Sequence, residues 1–207
     1  ALDLSRTFGA RNTSGEGAFA VAQIRALRGD TDREHLHSWA RQDPRTRWLR
    51  VARWHESHHE SEAARLAYEA STQADSASVQ SWRGLARICL SARDVACAQE
   101  AFARAASFGE TNEIQLELIL GGARALKESA GNAHSLPLYE TSVSLALGNW
   151  EVVKEALTAL GRNRRYKAVE QIVFDYVVGA ADPDAALDRS IGKLLDLRLS
   201  ASVAEVI

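Results

Sequence analysis

At 207 residues the chain is long enough for one sizeable core or five to six helix pairs. Alanine and leucine dominate, β-branched runs are scarce, and three prolines and thirteen glycines are spread out, a composition that points to an all-α protein. A net charge of −2 excludes nucleic-acid binding by bulk electrostatics, and no apolar run approaches the ~18–20 residues of a membrane span.

Residues 1–15 (ALDLSRTFGARNTSG) lack periodicity and read as an irregular lead-in to a single helical domain over 16–207. The chain starts at Ala1 and contains no methionine, which suits either a removed leader or excision from a longer protein. The compartment stays unnamed: cytoplasmic, or periplasmic if a leader was removed. Residues 16–28 place Phe19, Ala22, Ile24 and Leu27 near one helix face. Gly29-Asp30 is a turn, Thr31 caps a helix running to about Ala40, and Asp43-Pro44 closes it.

Residues 45–112 are two copies of one unit. Trp48, Val51, Ala52, His55, Ala64 and Tyr68 recur 34 positions later as Trp82, Leu85, Ala86, Cys89, Ala98 and Phe102. Arg53/Arg87, Ser57/Ser91 and Ala67/Ala101 recur as well. The spacing predicts helices over 46–57 and 61–74, then 80–91 and 95–107. Small residues at 52, 64, 86 and 98 would let paired helix backbones approach at the crossings. Trp48, Trp82, Tyr68 and Phe102 would fill the wider space at the ends of each pair and between pairs. One pair cannot bury such a face alone, so neighbours must stack.

The period resembles the tetratricopeptide repeat, whose pattern W-x2-L-G-x2-Y then A-x3-F is met here by Trp82, Leu85, Ala86, Cys89, Ala98 and Phe102. The resemblance implies an α-solenoid of antiparallel helix pairs wound into a right-handed superhelix, with residues 16–44 a degenerate first repeat. It also implies a non-catalytic scaffold or adaptor within a multi-protein assembly, binding a protein or peptide in a concave groove lined by the first helix of each pair. Alternative roles are a sensor or regulatory module of a larger bacterial regulator or of a secretion or assembly component, and a zinc peptidase.

After Asn112 the strict pattern fades while helices continue. Ile114, Leu118, Ala125 and Leu126 mark a helix over 113–129, and Gly131 to Pro137 (GNAHSLP) should break it. Further helices are expected over 138–147, 150–160, 166–178 and 184–197, with 200–207 a short helix or an end. Gly121-Gly122 lies mid-helix, where it would let a neighbouring helix close in.

His55, Glu56 and His59 spell H-E-x-x-H, the string in which a zinc peptidase binds metal with both histidines and activates water with the glutamate. That chemistry needs all three inside one helix. Here His59 falls in the inter-helix turn and no third ligand follows, so the expectation is a solvated helix end, with at most loose surface metal binding by His55, His58 and His59. No phosphate loop or nucleophile elbow is present, and neither a cofactor nor catalysis is expected. Cys89 and Cys97 flank one hairpin turn. A disulfide would fit there, but two small packing residues are the expectation.

Arginine outnumbers lysine 21 to 4, and Arg41, Arg45, Arg47, Arg50 and Arg53 cluster with only Asp43 opposing them. The repeat register points Arg53, Arg83 and Arg87 into the implied groove, with Glu56, Ser57, Gln80 and Ser91 nearby. Forked guanidinium groups at those places suit the carboxylates of an acidic segment. The competing reading leaves them solvated or paired to Glu56 and Glu60. The asparagine of the family's lysine, arginine and asparagine clamp for chain termini is missing from the matching positions.

Overall fold

The computed structural model describes residues 33–197. The expected lead-in over 1–15, helix over 16–28, Gly29-Asp30 turn, Thr31 cap and segment 200–207 lie outside them. The described residues are all-α: α1 (Arg33–Gln42), α2 (Pro44–Ser57), α3 (Ser61–Ala74), α4 (Val79–Ser91), α5 (Val95–Ser107), α6 (Asn112–Ala130), α7 (Asn132–Leu145), α8 (Trp150–Arg162), α9 (Tyr166–Gly179) and α10 (Pro183–Asp196). The described residues gather into two compact units, 33–88 and 89–197, and each is described by itself.

Helix starts follow from residue chemistry. The side chains of Asp94, Thr111, Asn149 and Asp182 accept the first free backbone N–H groups of α5, α6, α8 and α10. Pro44 and Pro183 sit in first turns, where a missing N–H removes no helical bond. The ends of α2, α4 and α8 share one device. His59, Arg93 and Arg164 adopt left-handed φ of 59°, 59° and 56°. In each turn the next residue's N–H returns to a carbonyl five positions back: Glu60 to His55, Asp94 to Cys89 and Arg165 to Leu160.

In the first unit α1 packs on α2 and α2 on α3. Ala52, Ala64 and Ala86 have no exposed surface, so the backbones do approach where the small residues predict. Tyr68 of α3 lies flat against Gly84 of α4, where a Cβ would stand 2.1 Å from the ring. Trp48 and Trp82 are only half-buried, and the tryptophans that enter the core are Trp39 and Trp54.

In the second unit the helices from α5 to α10 pack each on the next. Ala98 is fully buried. Of the two central glycines of α6, Gly122 is buried against Phe102 as expected, whereas Gly121 is exposed with open space around it. Both units are built of consecutive helices joined by short turns.

Two expectations fail here. The break over 131–137 shrinks to Gly131, whose φ of +95° turns the chain between α6 and α7. Helix α7 already starts at Asn132 and runs through Pro137. Pro137, the sixth residue of the helix, leaves the Ala133 carbonyl without its helical donor, and Ala133 is exposed, so that carbonyl is not sealed from solvent. Gln99 Nε2 donates to the neighbouring His134 carbonyl.

The cysteines are the second correction. Cys89 and Cys97 form a disulfide, with Cα atoms 5.8 Å apart. They stand four residues before and four after the left-handed Arg93, one helical turn in on each arm, so their side chains face each other across the hairpin.

Candidate binding cleft

Side chains of α2, α3 and α4 meet in a cleft of about 290 Å³ lined by Arg53, Tyr68, Gln80, Arg83, Gly84 and Arg87. Tyr68 is 1% exposed, and its ring, seated on the bare backbone of Gly84, carries the hydroxyl to the edge of Glu56. That hydroxyl donates to Glu56 Oε2 at 2.7 Å. Arg87 grips the same carboxylate with both prongs, Nε to Oε1 at 2.5 Å and Nη2 to Oε2 at 2.6 Å. These donors, Arg87 foremost, hold the Glu56 carboxyl below the usual carboxylate range despite its partial burial. Burial and then Glu56 push the Tyr68 hydroxyl up, and Glu56 raises Arg87. The group is therefore locked as carboxylate, neutral phenol and guanidinium.

The other two arginines are not neutralised. Arg53 Nη2 donates to the uncharged Gln80 at 2.7 Å. Arg83 is exposed and has no hydrogen-bond or ion-pair partner among the described residues. Three guanidinium groups thus face one carboxylate.

Five of the seven residues expected at this site come together: Arg53, Glu56, Gln80, Arg83 and Arg87. Ser57 does not join them, since its hydroxyl turns back to the Trp54 carbonyl at 2.8 Å. Ser91 ends α4 beyond the residues that line the cleft. Of the upstream arginine run, Arg47 folds over the Trp39 ring at 4.7 Å and donates to the Trp39 carbonyl.

The H-E-x-x-H string divides three ways. His55 is fully buried, contrary to the expected solvated helix end. It occupies the inward position that Cys89 takes one period later. Its Nδ1 lies 2.7 Å from Glu60 Oε2 and its Nε2 lies 3.2 Å from His37 Nε2. Glu56 turns to the arginine cleft. His58 stacks on Trp54 with ring centroids 4.1 Å apart, and His59 is exposed in the left-handed turn. No group of three or more His, Cys, Asp or Glu side chains converges as a metal site among the described residues. No helix among them is long and apolar enough to cross a membrane.

The second unit contains a related cluster that the sequence reading missed. Arg124 of α6 holds Glu155 of α8, Nε to Oε1 at 3.0 Å and Nη2 to Oε2 at 2.7 Å. Tyr139 of α7 donates its hydroxyl to Glu155 Oε1 at 2.9 Å. Arg124 and then Tyr139 lower the Glu155 carboxyl, while burial and Glu155 raise the Tyr139 hydroxyl. The signal was available: two periods beyond Glu56 and Arg87 stand Arg124 and Glu155, with their charges exchanged.

No family model and no curated protein matches the chain. Solved structures with a similar chain course include one described as the functional characterization of Pseudomonas aeruginosa pilF, 15% identical, with a TM-score of 0.44 over 93% of this chain and 88% of that one. Another is YrrB, described as a TPR protein with an unusual peptide-binding site, 16% identical, with a TM-score of 0.43 over 80% of this chain and 96% of its own.

Proposed function

We propose that this chain is a non-catalytic interaction module, a scaffold or adaptor that takes an acidic segment of a protein or peptide partner into the cleft of Arg53, Arg83 and Arg87. The observation that carries this reading is the unbalanced charge: three guanidinium groups to one carboxylate, with Arg83 unpartnered among the described residues. Guanidinium forks on helices lose little freedom on pairing, so charge-assisted bonds to a ligand carboxylate can offset their desolvation. Arg87, already held by Glu56, contributes field more than a free fork, while Arg53 and Arg83 supply the donors. The burial of His55, with both ring nitrogens engaged, supports the non-catalytic reading over a zinc peptidase.

The test is titration of a fluorescent oligo-aspartate peptide, and then of any partner captured by the intact chain. Arg83→Ala and Arg53→Ala should each lose ~1–3 kcal/mol of affinity and Arg87→Ala less. Binding should weaken as salt shortens the screening length. Affinity unchanged in all three variants, with no salt dependence, would sink the proposal.

A further inference from the structure

The second unit carries its own cleft, of about 500 Å³, between faces of α6 and α8. Its floor is apolar: Leu120 and Val152 are buried at 9% and 4% exposure, and Leu116 beside them is half-buried. Two features set it apart from the arginine cleft. Gly121 stands two periods after Arg53, so the long cationic side chain that projects in the first unit is missing, and space around Gly121 is open. Arg83 and Arg87 are likewise answered by Glu151 and Glu155.

Most polar groups here are already engaged. Arg124 is clamped to Glu155, and Lys154 lies 2.5 Å from Glu151. Asn149 caps α8 and the Thr158 hydroxyl donates to the Lys154 carbonyl. Lys127 is the exception. It is exposed and has no hydrogen-bond or ion-pair partner among the described residues, although its charge reaches Glu155 and helps lower that carboxyl. A cleft floored by the half-buried Leu116 over Leu120 and Val152, with the ammonium of Lys127 at its rim, complements a ligand that pairs an apolar side chain with an adjacent carboxylate.

We infer that this cleft is a second peptide-docking site, taking a segment whose apolar side chain lies over Leu116, Leu120 and Val152 while a neighbouring acidic residue meets Lys127. Purely acidic segments fit it poorly, because Glu151 and Glu155 line it and an apolar floor returns nothing to a hydrated carboxylate. The site is distinct from the arginine cleft in both position and ligand chemistry, and stands or falls without it.

The experiment uses the full chain labelled with nitrogen-15 and three end-blocked tetrapeptides carrying leucine-aspartate, alanine-aspartate or leucine-asparagine at the centre. The leucine-aspartate peptide should shift the amides of Gly121, Asn149 and Thr158 saturably. Either replacement in the peptide should weaken that binding by about tenfold, the scale of one lost charge-assisted or apolar contact. Leu116→Ser and Lys127→Ala, both at positions with solvent access, should do the same in the protein. Chemical shifts of distant amides report that each variant keeps its fold. The inference is overturned if no saturable shift occurs at those three amides, if all three peptides bind alike, or if folded Leu116→Ser and Lys127→Ala bind as the parent does.

Discussion

In the first unit a carboxylate on α2 meets a guanidinium on α4 over the hydroxyl of Tyr68; in the second a guanidinium on α6 meets a carboxylate on α8 over the hydroxyl of Tyr139. Both bridges join the first helices of successive pairs, and both span 31 residues of sequence. Only the direction of the charge differs. In both units a buried tyrosine ring lies beneath a bidentate pair, with the carboxylate on the first of the two bridged helices in one unit and on the second in the other. Direction matters for what is left over. With the guanidinium on the second helix, Arg87 adds to Arg53 and Arg83 and the cleft is cationic. With the carboxylate there, Glu155 joins Glu151 beside a wider cleft floored by Leu116, Leu120 and Val152.

The hairpins show a second exchange of chemistry at one position. His55 closes its hairpin by a 2.7 Å contact to Glu60, and Cys89, one period later, closes its own by a covalent bond to Cys97. Both replace solvent at an inward site near a left-handed turn.

The tyrosines are the shared element, so removing them should have the largest effect. Tyr68→Ala and Tyr139→Ala should each destabilise by ~3–5 kcal/mol, through the cavity left by the ring, with the lost hydrogen bond to the carboxylate added to it. Urea unfolding measures both, and a large loss for one with none for the other would show that the two bridges are not equivalent. Next comes the hairpin staple. Cys97→Ser should lose ~2–3 kcal/mol under oxidising conditions, the entropy of a short closed loop, and nothing relative to the parent in reductant. The smallest expected effect runs the other way. Arg93→Gly should gain up to ~1 kcal/mol, because glycine takes the left-handed region without a Cβ clash, and the melting temperature should rise slightly.

The helix pairs were legible because the alanines at 52, 64, 86 and 98 and the 34-residue period are local in sequence. The grouping of Arg53, Glu56, Gln80, Arg83 and Arg87 was legible for the same reason. The second bridge was not. Helix α6 runs 19 residues against 13 or 14 in the paired helices before it. That insertion moves Tyr139 three residues, about one helical turn, past its periodic place. The residue types in the bridge also exchange, so a search for like residues at fixed spacing passes over Arg124 and Glu155. His55 misled through its position at a helix end, which suggests solvent, although its periodic partner Cys89 marks it as inward. Pro137 misled because a proline inside a helix costs one backbone hydrogen bond, and the carbonyl that loses it here belongs to the exposed Ala133.

A charge-swap cycle at the first bridge tests the interchangeability of the two directions most directly. Glu56→Arg and Arg87→Glu are made singly and together, and each protein is unfolded in urea. Each single variant sets like charges against each other over the Tyr68 hydroxyl and should lose ~1–3 kcal/mol, while the double variant, which reproduces the polarity of Arg124 and Glu155, should recover most of the combined loss. A double variant as unstable as the two single losses added together would contradict it, showing that the first unit requires its carboxylate on α2.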